Sequence, residues 1–290
     1  MSLALQIIFD ALLLGGLYAI GALGFALVWG VLNVLNLTYA AFIMMGAYAT
    51  YWLWRIGFDP VAAIPVVMLL MFGVGWLMQR GLLNYVARGP GSLPIALTYG
   101  VNLVIVGAAL YYFTAEYRSI ALPDYLRGSL EIGGAQLTNA RVVTMVIALT
   151  LTAAVWWFMD RTETGIAIRA TRMDMESAQL VGIRPRFIFN ITGGISAALA
   201  GAMGALMAVI YSVSPQMGDH HLLQVLIVCV LGGLGSMLGP LVGALTLGLV
   251  SSIVANLWGA TYAMLAGTVM VLLVLAVRPA GLLGRQFYES

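Results

Sequence analysis

Apolar runs follow one another along almost the whole chain, at 11–54, 61–78, 93–113, 142–159, 187–211, 222–258 and 260–277. Each approaches or exceeds the ~20 residues that a helix needs to cross ~30 Å of hydrocarbon. A backbone in lipid must satisfy its own hydrogen bonds, which leaves helices or a closed barrel, and long non-alternating runs favour helices. The pattern predicts spans at 4–32, 41–55, 60–79, 93–113, 141–159, 187–211 and 260–277, with two half-helices inside 222–258. The expected fold is an all-α polytopic membrane protein of roughly eight transmembrane helices, a single domain over 1–290.

The polar interruptions carry the functional signal. After the first span, Asn33, Asn36, Thr38 and Tyr39 break the apolar pattern, as a broken helix or as an ordinary polar turn. The stretch 222–258 is too long for one span and too short for two with a proper loop between them. At its middle stand Gly232, Gly233, Gly235, Ser236, Gly239 and Pro240, where helix propensity collapses. Two half-helices meeting at a glycine-rich break or re-entrant turn, with 33–40 as counterpart, would mark a transport site between two halves of the chain. The candidate pathway is therefore Asn33, Asn36, Thr38 and Tyr39 at one break and Gly232, Gly233, Gly235 and Ser236 at the other. For each glycine, helix packing without solute contact competes with that reading. Thr98, Tyr99 and Asn102 allow a pathway face or interhelical hydrogen bonds. Gly193, Ala197, Gly201 and Ala205, four residues apart, read as a tight packing stripe.

Two longer polar stretches remain. Residues 114–140 carry both signs of charge and read as an external loop, with LEIGGAQLTN as strand, Gly133-Gly134 turn and strand. Residues 161–186 gather Arg161, Arg169, Arg172, Arg184 and Arg186 around Glu163, Asp174 and Glu176. Together with Arg80, Arg88, Arg278 and Arg285 they fall on one side, which the positive-inside rule makes cytoplasmic. Parity then puts the N-terminus outside, unless 33–40 re-enters. From Thr164-Gly165 to Gly182 the spacing predicts one amphipathic helix of about four turns. Its apolar face is Ile166, Ala170, Met173, Ser177 and Leu180, and its polar face Arg169, Arg172, Glu176 and Gln179. Such a helix lies on the membrane or docks in a partner's groove.

Composition narrows the function. The chain is 62% hydrophobic and 8% charged, against about 25% charged in soluble domains, and its mean hydropathy is +1.01. The first apolar run continues far past the length of a cleavable signal. The net charge of +2 gives no reason to expect nucleic acid. Cys229, the lone cysteine, excludes an intrachain disulfide. Asp219-His220-His221 lacks further ligands at metal spacing and reads as an external docking surface. No Ser/His/Asp set stands in a motif context, so intramembrane hydrolysis has little support. The chain has no lysine, and a Walker A loop needs one on the nucleotide phosphates. If ATP drives this protein, another subunit hydrolyses it. A secondary transporter or channel for a small neutral or zwitterionic solute is the alternative, although ionisable residues, the usual mark of ion coupling, are scarce in the spans.

TETGIAIRATRMDMESAQLVGI resembles the cytoplasmic coupling segment of permease subunits from branched-chain amino-acid ABC importers. The family's pattern falls on Gly165, Ala167, Arg169, Ala170, Asp174, Ala178, Leu180, Gly182 and Ile183. The N-terminal block GLYAIGALGFALVWGVLNVLNLTYAAFIMMGAY, then VSPQMG and VLGGLGSMLGPLVGALTLGL, resemble the family in order. The N-terminal block and the length are similar to the smaller of its two paired paralogues. Where the family often has Asn-x-Ala-His-Gly, this chain has Asn36-Leu37-Thr38-Tyr39-Ala40. Relatives of this architecture are associated with urea, short amides and aromatic acids as well as amino acids. The resemblance implies a multi-pass protein of the bacterial inner membrane that is no enzyme itself. It implies a second permease (paralogue or copy), two cytoplasmic ATPases carrying ATP and Mg, and an external solute-binding protein. Coupling would fall to Gly165, Arg169, Ala170, Arg172, Asp174, Glu176, Ala178, Leu180 and Gly182.

Overall fold

A computed structural model describes residues 2–86, 92–132, 135–233, 236, 238–278 and 281–283. The first four long helices along the chain are α1 (Ser2–Leu32), α2 (Tyr39–Arg55), α3 (Ala63–Met78) and α5 (Ser92–Phe113). Between the last two, α3 runs through a π-helical turn, Gln79–Leu83, into the short α4 (Asn84–Val86). A short α6 (Asp124–Arg127) and a hairpin of β1 (Ser129–Ile132) and β2 (Ala135–Thr138) precede α7 (Asn139–Arg161). Then come α8 (Glu163–Met173), α9 (Met175–Leu180), α10 (Pro185–Ile210), α11 (Met217–Gly232), α12 (Gly239–Trp258) and α13 (Ala260–Val277). Among the described residues seven helices are long and apolar enough to cross a membrane, and α11 is a shorter apolar one.

Burial separates a centre from a ring. The apolar windows of α10 and α1 are 89% and 78% buried, whereas those of the other long helices are at most 33% buried. Small residues let α10 take that place. Its Gly193, Ala197 and Gly201 meet Gln79, Gly75 and Met71 of the α3 run, and a Cβ on Gly75 would stand 2.4 Å from that of Ala197. On another face, a Cβ on Gly204 would come within 1.9 Å of the Ile43 carbonyl oxygen of α2. The four-residue stripe is a packing surface, as its spacing predicts.

Contacts along α1 give the bundle two ends. Asp10 pairs with Arg141 on the first turns of α7 at 3.2 Å, and Gly30 lies against Arg172 of α8. The N-terminal end of α1 therefore shares an end with the hairpin, opposite the arginine-rich segment. At the hairpin end Tyr125 donates to Asp59 at 2.7 Å, and Arg118 bridges Val213. The strands pair from Ser129–Thr138 to Ile132–Ala135, as LEIGGAQLTN predicts, with Gly133-Gly134 outside the described residues.

One boundary differs from the hydropathy reading. The third span continues to Val86, because Gln79 hydrogen-bonds Asn84 at 3.1 Å and Asn84 donates to Asn190 of α10 at 2.7 Å. Arg88 and Arg285 lie outside the described residues. Of the two forms expected in 222–258, a break and a re-entrant turn, the structure follows the second. α11 and α12 lie antiparallel, with Gly232 against Gly239 and Gly243 against the Val228 carbonyl. The glycines thin the base of a helical hairpin, and Gly233 at φ +96° ends α11.

Candidate functional site

The segment from Thr162 to Gly182 is two helices, not the single four-turn helix expected. Thr162 caps α8, its Oγ1 accepting the Gly165 N–H at 3.0 Å, slightly ahead of the predicted start. Asp174 is extended, at φ −157° and ψ 109°, so the helical repeat stops there. Its carboxylate accepts the N–H groups of Glu176 at 2.9 Å and Ser177 at 3.2 Å, starting α9 afresh. The Ser177 hydroxyl also donates to it, and these bonds, the hydroxyl foremost, hold the carboxyl below its ordinary range. Gly182, at φ +88°, follows α9 in the left-handed region that favours glycine.

One side of this helix pair is locked to the bundle. Arg169 donates to the Asp160 carboxylate at 2.8 Å and to its carbonyl at 3.3 Å, clamping α8 to the last turn of α7. A Cβ on Gly165 would stand 2.4 Å from the Phe158 carbonyl, so only a glycine seats α8 this closely. Arg172 reaches the end of α1 and shares a crevice with Trp156, Ser236 and Pro240. Burial there pulls its guanidinium below its ordinary value. Gly165, Ile168, Thr171 and Ala178 face inward. The expected apolar face points outward instead: Ile166 is 51% exposed, Met173 87% and Leu180 89%. Glu176 is exposed and Ala170 half-buried.

The first polar break is folded into the bundle. Asn33, at φ +51°, ends α1 and starts a segment that turns back among the helices. The Asn36 side chain accepts the Thr38 N–H at 3.1 Å. Thr38 donates to the Thr98 carbonyl of α5 at 2.8 Å. Tyr39 donates to the Gly21 carbonyl at 2.7 Å, its ring edge-on to Phe25. Asn36, Thr38 and Tyr39 are buried, so their polar atoms face protein. Gly232, Gly233 and Ser236 sit elsewhere, by Leu282 and Leu283 at the arginine-rich end, where Ser236 Oγ accepts the Gly239 N–H at 3.1 Å. Gly235 lies outside the described residues. Among the described residues no hydrogen bond joins the two sets.

The start of α2 meets the start of α11. A Cβ on Gly218 would stand 2.1 Å from the Ala40 carbonyl oxygen. On the residue after Gly218, Asn102 of α5 donates to Asp219 at 3.2 Å, and two residues further His221 Nδ1 shares a 3.4 Å hydrogen bond with the Tyr18 hydroxyl. At 1.5 Å per residue, Tyr18 stands ~12 Å along α1 from Asp10 and ~18 Å from Gly30. Asn102 stands ~15 Å from Ser92 and ~17 Å from Phe113 on the same rise. Asp219-His220-His221 thus lies at mid-depth rather than on an outer docking surface, because 213–216 dips into the bundle from the Arg118–Val213 bridge. No group of three or more metal-binding side chains occurs among the described residues. Each of these polar residues is visible in the sequence, but nothing in it joins positions 117 apart.

The fold defines a polytopic integral membrane protein, with an exposed helix pair at its arginine-rich end and buried polar contacts between its spans. Residues 7–277 match the model of the family described as branched-chain amino acid transport system / permease component, and the chain belongs to that family. It is 26% identical to the high-affinity branched-chain amino acid transport system permease protein BraD of Pseudomonas aeruginosa, over 99% of this chain and 97% of that one. It is 27% identical to LivH of Escherichia coli K12, a permease protein of the same description, over the same shares of each chain. Among solved structures, PsaBC from Streptococcus pneumoniae in complex with Fab aligns at a TM-score of 0.48 and 13% identity, over 97% of this chain and 93% of that one. That likeness is too loose to build on. The chain is an ABC importer permease subunit and a multi-pass protein of the bacterial inner membrane.

Proposed function

We propose that this subunit moves a small amino-acid-like solute, such as a branched-chain amino acid, and is driven through α8 and α9 by separate ATPase subunits. One observation carries the coupling role. The α8–α9 pair is clamped to α1 and α7 on one side while Ile166, Met173 and Leu180 stand exposed on the other. Exposed apolar side chains on a polar segment mark a protein groove's partner rather than a solvated face. In this reading 161–186 is cytoplasmic and 114–140 external. Closure of two ATP- and Mg-loaded ATPases pulls α8, and Arg169 and Arg172 pass the motion to α7, α1 and the α11–α12 hairpin. Gly165, Ala170, Asp174, Glu176, Ala178, Leu180 and Gly182 seat, cap or present the helix pair. The solute is handed over by an external binding protein and crosses beside a second permease, a paralogue or a second copy.

The pathway in this reading follows the crossing of α2 and α11, two helices that begin inside the bundle. Interrupted segments of this kind line transport routes because their freed backbone groups can meet a solute. Asn33, Asn36, Thr38 and Tyr39 shape the α2 side of it, and Gly232, Gly233, Gly235 and Ser236 give the hairpin base its close approach near the inner exit. The test is uptake by the assembled importer with Arg169→Ala and Asp174→Ala together. Transport is expected to be lost with membrane insertion intact; unchanged uptake would remove the coupling role.

A further inference from the structure

Neither packing nor coupling uses the polar set at mid-depth. Asp219 is exposed on the surface of this chain, yet it lies roughly midway along α1 and α5. A carboxylate there, facing lipid, would be costly, so this face is turned to protein or water. Among the described residues no arginine or histidine forms an ion pair with it. Its hydrogen-bond partner is Asn102, itself 3% exposed. The Oδ1 of that same amide is buried without a hydrogen-bond partner. The buried amide holds the carboxylate from the inner side, while Asp219 itself stays exposed on the other. Tyr99 and Leu103 flank Asn102 on α5, and Leu223 follows Asp219 by one turn, all three more than half exposed. They supply apolar surface next to the charge.

We infer that Asp219, oriented by Asn102, is a station for the cationic nitrogen of the cargo on its way across. Tyr99, Leu103 and Leu223 receive the apolar part. A zwitterion with an aliphatic or aromatic side chain matches both halves; an uncharged amide or a simple carboxylate matches the apolar half alone. An ammonium can donate to the exposed Asp219 carboxylate, and charge-assisted bonds of this kind are the strong ones. This inference rests on the importer reading above and adds the residues that meet the charged end of the cargo.

The experiment uses the full assembly in proteoliposomes, with leucine on the binding protein as probe, in sodium and in sodium-free buffer. Asp219→Asn keeps the shape and removes the charge. It is expected to lower leucine uptake at saturating binding protein by about tenfold or more, with the ATPases co-purifying as for wild type. Asp219→Glu is expected to recover most of the rate, and Asn102→Ala to fall between. Should Asp219→Asn not assemble, the comparison of Asp219→Glu with Asn102→Ala decides alone. Wild-type rates in Asp219→Asn, or in Asn102→Ala where that comparison decides, overturn the station. So does a wild type that stops without sodium, since a metal cation would then occupy it. A wild type that moves no leucine with ATP fails differently: it overturns the cargo reading itself, whatever the variants do.

Discussion

Thr38 shows how little room the mid-bundle residues have. Its hydroxyl donates to the Thr98 carbonyl, and its own N–H is taken by Asn36. Thr38→Val keeps the volume but removes that hydrogen bond, a net loss of about 0.5–1.5 kcal/mol, since the carbonyl keeps its donor within α5. A lower melting temperature in detergent is the expected reading. At the hairpin end the Asp59–Tyr125 pair sets a pH dependence. Loss of water alone would raise the Asp59 carboxyl; the hydrogen bonds from Tyr125, Ala62 and Val61 outweigh it and hold the group below its ordinary value. Partial desolvation and the carboxylate push the Tyr125 hydroxyl up to about 12. Stability from Asp59 is complete above its unfolded pKa of about 4 and is lost as pH falls through the lowered folded value. Stability from Tyr125 is complete below its unfolded pKa of about 10 and is lost as pH rises toward the raised one. The gap in melting temperature between wild type and Tyr125→Phe should therefore be level between these limits and close on both sides. Asn36 reads in the sequence as a polar group in search of a solute; folding gives it a backbone N–H, which the sequence does not show.

At the scale of the element, the coupling segment turns on one residue. Asp174 falls on the helical repeat as one more polar position, yet its short carboxylate also suits an N-cap, and it starts α9. Periodicity cannot choose between those roles, because both need a polar side chain. The choice comes from the extended backbone at Asp174, with the exposed tip of α8 on one side and Gly182 closing α9 on the other. The same turn decides which face is free. Ile166, Met173 and Leu180 line up as apolar positions, and a soluble-protein rule would bury them. Here Gly165, Ile168 and Thr171 take the inner side, because α7 offers a groove that accepts nothing larger than glycine at 165. Met173→Asp with Leu180→Asp should therefore leave the melting temperature within the small change of an exposed substitution, about 0.5 kcal/mol. The same variant should lose the ATPase subunits on co-purification. A variant that still carries them would place the docking surface elsewhere.

For the whole molecule, the two ends and the central pair α1 and α10 set what can be tested. Cys229 is the lone cysteine of the chain and is buried, its Sγ against the Ala22 carbonyl at 3.4 Å. A folded sample should resist maleimide, so wild type serves as its own unreactive background. A cysteine at Leu180 should then be labelled from the cytoplasmic side and one at Leu130 from the outer side; labelling of both from one side would refute the two-ended arrangement. The packing of α10 on α2 predicts a larger effect. Gly204→Val has no space to enter, since even a Cβ meets the Ile43 carbonyl. It should separate the two helices and prevent accumulation of folded protein, a penalty beyond the 1–3 kcal/mol usual for overpacking. The spacing of Gly193, Ala197 and Gly201 makes the existence of such a surface legible. That α3 and α2 are the partners is not, because small residues specify closeness and not identity.

Local order in the chain determined much by itself. Apolar length set the spans, the arginines set two unlike ends, the missing lysine ruled a Walker A site out of this sequence, and the blocks at 16–48, 162–183 and 230–249 placed the family. Each of these depends on residues near one another, where hydropathy, charge and spacing act directly. The tertiary structure decided the rest: that α2 and α11 begin inside the bundle, that the glycine-rich stretch is the base of a hairpin, and that Asn102 reaches Asp219. Those outcomes depend on which helices lie together. That is settled by the fit of small and large side chains across distant segments, a quantity that no window along the sequence contains.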